Sequence, residues 1–82
     1  MSDNLSDIEN RAKKIIIEIL NIEDKEINAT ASFTKDLGAD ELEAAELILE
    51  FEKQFEITIP ENDQENLTTL GNVIAYIIKH AK

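Results

Sequence analysis

The sequence predicts an all-α protein: a four-helix bundle with three longer helices, one short helix and a long loop between helices 1 and 2. Three observations predict it. Apolar residues recur at helical spacing in three separate stretches. The one stretch that alternates like a strand, Glu56-Ile57-Thr58-Ile59-Pro60, has no obvious partner strand in the chain. The three apolar faces can be buried only against each other, which is the logic of a small helical bundle. Eighty-two residues make one small domain, 1–82.

The chain starts with residues 1–5, which read as a frayed end. Ser6 with Glu9 three residues later is a capping-box signature. Ile8, Ala12, Ile15, Ile16, Ile19 and Leu20 then form one stripe of an amphipathic helix, with Ile17 beside it. Arg11, Lys13, Lys14 and Glu18 lie off the stripe. Residues 21–39 show no sustained period, and Asn21, Asn28, Thr30, Ser32 and Gly38 are turn and loop formers. A loop this long in a small domain packs its own side chains or carries function. We expect a structured connection with Phe33 and Leu37 tucked into the core.

Helix 2 is expected from about Glu41 to Phe55. Gly38 allows a sharp bend just before it. Asp40 is a suitable N-cap, and Glu43 three residues on completes an Asp version of the capping box. Position 41 then lies in the first helical turn, at the positive end of the helix, which suits an anionic group. Ala44, Leu47, Ile48, Phe51 and Phe55 form the inward stripe. Leu42, Ala45 and Leu49 form a second apolar line among Glu46, Glu50 and Glu52. That line reads as a partner contact within a charged rim; the plainer reading is that single exposed apolar residues are ordinary.

Pro60 disfavours helix at Ile59 and suits the first turn of a new helix. A short polar helical segment is expected over Glu61–Asn66. Thr68 or Thr69 then caps a last helix, whose stripe is Leu70, Val73, Ile74, Ile77 and Ile78. Lys79, His80 and Lys82 stand at its C-terminal end, where cations suit the helix dipole. His80, the only histidine, reads as a surface residue of that end.

Charge is unevenly placed. Residues 36–65 hold eleven acids and one base, Lys53, so the whole net charge of −10 sits there. Such a field repels nucleic acid and anionic membrane and attracts basic protein surfaces. A solvated face that aids solubility and a docking face both remain open from charge alone. There are no cysteines, which excludes disulfides, thiolate metal sites and a cysteine nucleophile. No signal peptide and no membrane-spanning run is visible, so a cytoplasmic protein is expected. No serine has a base in supporting context, and no glycine-rich phosphate loop exists. Asp36, Asp40 and Glu43 lack the spacing of a calcium loop. A binding or carrier module is therefore expected, not an enzyme, with no catalytic residues and no metal.

Ser32-Phe33-Thr34-Lys35-Asp36-Leu37-Gly38-Ala39-Asp40, then Leu42-Glu43, Glu46-Leu47, Phe55, Ile59-Pro60 and Thr68-Thr69 resemble acyl carrier proteins of the stand-alone bacterial type. The resemblance covers nearly the whole chain and is most specific over 32–60. It implies a four-helix bundle, an acidic second helix that docks basic surfaces of fatty-acid or related synthase enzymes, and a pocket between helices for the acyl chain. The family's working residue is a serine in Asp-Ser-Leu, which receives 4′-phosphopantetheine. The matching residues here are Asp40-Glu41-Leu42. Glutamate has no hydroxyl to form the phosphodiester, so no cofactor is expected on this chain, and without any thiol it cannot form a thioester.

A carboxylate in the first helical turn is favourable by ~0.3–1 kcal/mol, so serine-to-glutamate should not unfold the bundle. It also supplies about one negative charge, as the phosphodiester would. By resemblance, Glu43, Glu46 and Glu52 match acids that meet partner Lys and Arg, and Ala45 and Leu49 match apolar contacts. Lys53 departs from the family pattern, which usually has an acid there, and Glu50 lies at a commonly apolar or small position. The expectation is an arm-less, monomeric carrier-like protein that docks synthase enzymes. The alternatives are a non-carrier interaction or regulatory module on the same fold, or an ordinary carrier with an engineered Ser-to-Glu change.

Overall fold

The computed structural model describes residues 5–80, with side chains over 7–80. Four α-helices follow in order: α1 (Leu5–Leu20), α2 (Glu41–Phe55), α3 (Glu61–Gln64) and α4 (Leu70–His80), with a single 3-10 turn at Asp24–Glu26 after α1. Among the described residues there is no strand, only an isolated antiparallel bridge between Ser32 and Thr69. Of the frayed start expected over 1–5, residues 1–4 lie outside the described residues, as does Lys82, and Leu5 is helical. Helix α1 already begins at Leu5. Ser6 is therefore within its first turn, not before it, which removes the expected cap at Ser6.

Helix α1 is the central element and packs against both α2 and α4. Its stripe delivers Ile8, Ala12, Ile15 and Ile16 to the core, with Ile19 and Leu20 half-buried at the end. Helix α2 contributes Leu47, Ile48, Phe51 and Phe55, and α4 contributes Leu70, Val73 and Ile77. Two expectations shift here. Ala44 is only half-buried, and Ile78 is 52% exposed. Each residue turns about 100° around a helix, so Ile78 has already rotated off the face centred on Val73 and Ile77.

Arg11 fastens α1 to the end of α2. Its guanidinium donates to the Gln54 carbonyl at 2.6 Å and lies 4.4 Å from the centre of the Phe55 ring. A cation at the carbonyl end of a helix is favoured by the dipole, and an aromatic face attracts it further. Helix α2 ends at Glu56, which adopts the left-handed conformation at φ 53°. The Ile57 amide then returns to the Glu52 carbonyl at 3.2 Å.

The connection over 21–39 is structured, as expected. Phe33 and Ala39 are buried, while Leu37 is half-buried against the core. The loop is anchored to the start of α4. The Phe33 amide donates to the Thr68 carbonyl at 2.9 Å, and the Gly71 amide to the Ala29 carbonyl at 3.0 Å. A Cβ on residue 71 would stand 2.9 Å from that Ala29 oxygen, so the close approach requires glycine. Thr69 caps α4 by accepting the Asn72 amide at 3.1 Å. The sequence left Thr68 and Thr69 as candidates, and Thr69 is the cap.

Candidate functional site

The site is the entry to α2. Ser32 and Asp36 fold the preceding turn: the Asp36 carboxylate accepts the Ser32 amide at 2.7 Å, and the Ser32 hydroxyl accepts the Lys35 amide at 3.2 Å. Gly38 follows with φ +78°, a left-handed conformation that side-chain-bearing residues disfavour. The Ala39 amide donates back to the Phe33 carbonyl at 2.8 Å, which places Asp40 at the head of the helix. Asp40 Oδ1 accepts the Glu43 amide at 2.8 Å, and Glu43 Oε1 accepts the Asp40 amide at 3.1 Å. The reciprocal pair is the capping box read from the sequence, with N-cap and N3 at the expected positions.

Glu41 is the first residue of the helix and is exposed, and Leu42 beside it is 69% exposed. The second apolar line of α2 faces solvent: Leu42, Ala45 and Leu49 are all exposed, Leu49 at 62%. The acids around it differ in what they do. Glu41 and Glu46 are exposed and, among the described residues, make no hydrogen bond or ion pair. Glu43 is engaged in the cap. Glu50 is half-buried, accepts from the Gln54 side-chain amide at 3.2 Å, and lies 3.9 Å from Lys53 Nζ. Glu52 Oε2 accepts the Ile59 amide at 2.7 Å in a partly buried position.

Glu52 therefore has a structural task that its residue type does not reveal. The extended stretch after α2 leaves the buried Ile59 amide without a backbone partner, and a buried polar group needs one. Glu52 supplies it. Lys53, the one base of the acidic stretch, is 76% exposed at its side chain and balances Glu50 across one helical turn.

Two concave features flank the helix. A groove of about 530 Å³ runs between the ends of α1 and α2, lined by Ile19, Glu46, Leu49, Glu50 and Lys53. On the other side, a cavity of about 220 Å³ lies between the loop, α2, α3 and the start of α4. Phe33, Ala44, Ile48 and Leu67 line it, with Thr34 and Glu65 at its polar side. It begins one turn beyond Glu41.

The groups at the helix entry do not fit a phosphodiester-linked arm. Glu41 presents a carboxylate, and attachment needs a hydroxyl. The Ser32 hydroxyl accepts the Lys35 amide, the Thr30 hydroxyl bonds Asn28, and the Thr68 and Thr69 hydroxyls bond Asn72. No group of three His, Cys, Asp or Glu side chains is arranged to hold a metal ion among the described residues. His80 is exposed, and its ring stacks on Tyr76 with centroids 4.1 Å apart. No helix is long and apolar enough to cross a membrane among the described residues.

The family model described as "Phosphopantetheine attachment site" matches residues 10–77. The match begins in α1 and ends within α4, so it includes the loop, the α2 entry and both concave features.

Proposed function

Because the chain belongs to the phosphopantetheine-attachment, acyl carrier family, a carrier-like domain, we propose that it docks basic surfaces of fatty-acid or related synthase enzymes through α2 without bearing the family's 4′-phosphopantetheine arm. Carrier domains of this family are not themselves catalytic, and the chain acts by occupying a partner. One observation carries the reading: Glu41 is an exposed carboxylate on the first turn of a fully capped helix. It supplies negative charge where the family's phosphodiester would supply it, and it lacks the attachment chemistry.

The contact surface consists of Leu42, Ala45 and Leu49 with Glu41 and Glu46 as free charges. Glu43, Glu50 and Glu52 contribute negative field while fulfilling the structural roles described above. Exposed apolar residues within an acidic rim suit a basic partner surface with a shallow apolar centre. A monomer acting in the cytoplasm is the setting this reading assigns to it.

Incubation with coenzyme A and a phosphopantetheinyl transferase, read by intact mass, tests the arm-less state. The wild-type protein should show no gain, and the Glu41→Ser variant should gain one phosphopantetheine. A gain by the wild type overturns the reading. Docking is tested separately by pull-down on ketoacyl synthases and acyltransferases. Capture should weaken as salt rises, since exposed charge pairs are screened, and capture that survives high salt argues against electrostatic docking. Persistent failure of Glu41→Ser to load would favour the non-carrier module.

A further inference from the structure

The acidic face of α2 changes sign before the helix ends. Glu46, Leu49, Glu50 and Lys53 fall at i, i+3, i+4 and i+7, so they form one line along the helix. The half-buried Ile19 closes the 530 Å³ groove beside that line from the α1 side. Glu46 is exposed at one end of the line and Lys53 at the other. Leu49 and Ile19 supply the apolar surface of the groove. Two helical turns, about 10.5 Å, separate the two charges.

The basic end extends past Lys53. A second concavity, of about 340 Å³, lies on the same helix pair, with Arg11, Lys14, Glu18 and Gln54 in its lining. Glu18 and Gln54 are the chain neighbours of Ile19 and Lys53, so the two concavities meet end to end. Together they form a seam that is acidic at Glu46 and carries Lys53, Lys14 and Arg11 toward the start of α1. Arg11 is engaged with the Gln54 carbonyl and the Phe55 ring, whereas Lys14 and Lys53 are exposed. Lys53 lies 3.9 Å from Glu50 with a side chain 76% exposed, and a pair so open to water is weak. A further carboxylate can approach its ammonium without displacing a strong bond.

We propose that this α1–α2 seam is a selective groove for a mixed-charge helix of the partner protein. That helix sets a base against Glu46, an apolar side chain between Leu49 and Ile19, and an acid against Lys53 and Lys14. Base and acid seven residues apart, with the apolar residue three or four from each, match the line on α2, and such spacing is how a helix beds in a groove. Lys53 acts as a filter. A wholly basic helix, drawn in by the acidic stretch, would meet like charge at that end, and the repulsion rejects it. The inference deepens the docking reading and rests on it for the class of partner; the selectivity of the groove is a property of this chain alone.

Two synthetic helices test it on the full-length protein. Each is about 18 residues, roughly 27 Å long, and is stapled on its outer face because free helices of this length are marginal. One carries Lys, Leu and Glu at i, i+4 and i+7; the other replaces that Glu with Lys. Binding is read by fluorescence anisotropy at physiological salt. Overall charge alone favours the wholly basic helix, since the chain carries −10. The groove should instead take the mixed helix several-fold more tightly. Lys53→Glu should reverse the preference and Lys53→Gln remove most of it, while Leu49→Ala should weaken the mixed helix several-fold. Both side chains are exposed, so these changes leave the core intact. Wild-type preference for the basic helix, no measurable binding of either, or a preference unmoved by Lys53→Glu overturns the groove. Synthase pull-down separates the two readings. Capture without helix preference refutes the groove alone, and helix preference without capture refutes the partner class and supports the groove.

Discussion

Glu52 Oε2 accepts the Ile59 amide at 2.7 Å, so an acid of the α2 surface holds the chain where it leaves that helix. Removing the carboxylate orphans a largely buried amide, a loss of about 1–3 kcal/mol. Glu52→Ala should lower unfolding stability by that amount in a urea titration, and Glu52→Gln, which keeps an acceptor oxygen, by clearly less. Glu46→Ala, on the same helix and without a bond, should stay within about 0.5 kcal/mol of wild type.

The two ends of α2 make opposite demands on the backbone. Asp40 satisfies the Glu43 amide, and Asp40→Ala should cost about 0.5–2 kcal/mol. Glu41→Ser should cost no more than about 1 kcal/mol, the loss of one carboxylate from the positive end of the helix. Chemical denaturation of both variants should rank them in that order.

Gly38 at φ +78° and Glu56 at φ 53° share the left-handed region, but only one is glycine. A Cβ at 38 would meet no atom within 4 Å, so Gly38→Ala isolates backbone strain and should cost about 1–2 kcal/mol. Glu56→Gly should instead gain about 0.5–1 kcal/mol, the relieved strain less the extra entropy of an unfolded glycine. Thermal melts should move in opposite directions.

Tyr76 links stability to alkaline pH. Its hydroxyl donates to Asp63 Oδ2 at 2.8 Å. Burial first, then that bond, raise its folded pKa, so the folded state holds the proton more tightly than the unfolded one. The contribution is fully present below the ordinary tyrosine value of 10.0 and is lost as pH rises through the higher folded value. The stability difference between wild type and Tyr76→Phe should therefore be constant through neutral pH and shrink above 10.0. A difference that grows with pH would contradict the hydrogen-bond assignment.

What the sequence carried was what is local and periodic. The bounds of α2 follow from Asp40, Glu43 and the Ala44–Leu47–Ile48–Phe51–Phe55 stripe, and the helix runs Glu41–Phe55 as expected, with Ala44 alone of the stripe only half-buried. The alternation of Glu56–Ile59 is real in burial, since Ile57 and Ile59 turn inward and Thr58 outward. It needs no neighbouring strand, because Glu52 takes the Ile59 amide. Short helix α3 stops at Gln64, and only turn follows through Asn66. What stayed hidden depends on residues distant in the chain. Nothing in Asp36 marks it as an acceptor for the Ser32 amide, and nothing in Glu52 separates it from Glu46. The partnership of Tyr76 with Asp63 likewise joins helices whose separate periods say nothing of each other.

The contact between Gly71 and Ala29 has a consequence for the order of assembly. The loop that leads to the α2 entry is tied to the segment opening α4 by two bonds, from the Phe33 amide to the Thr68 carbonyl and from the Gly71 amide to the Ala29 carbonyl. During synthesis α2 can coil and cap itself and the turn before it can close, but the loop's anchors wait until Thr68 and Gly71 have left the ribosome. A nascent chain halted before Thr68 would hold the acidic helix and its cap without the bonds that fix the loop against the start of α4.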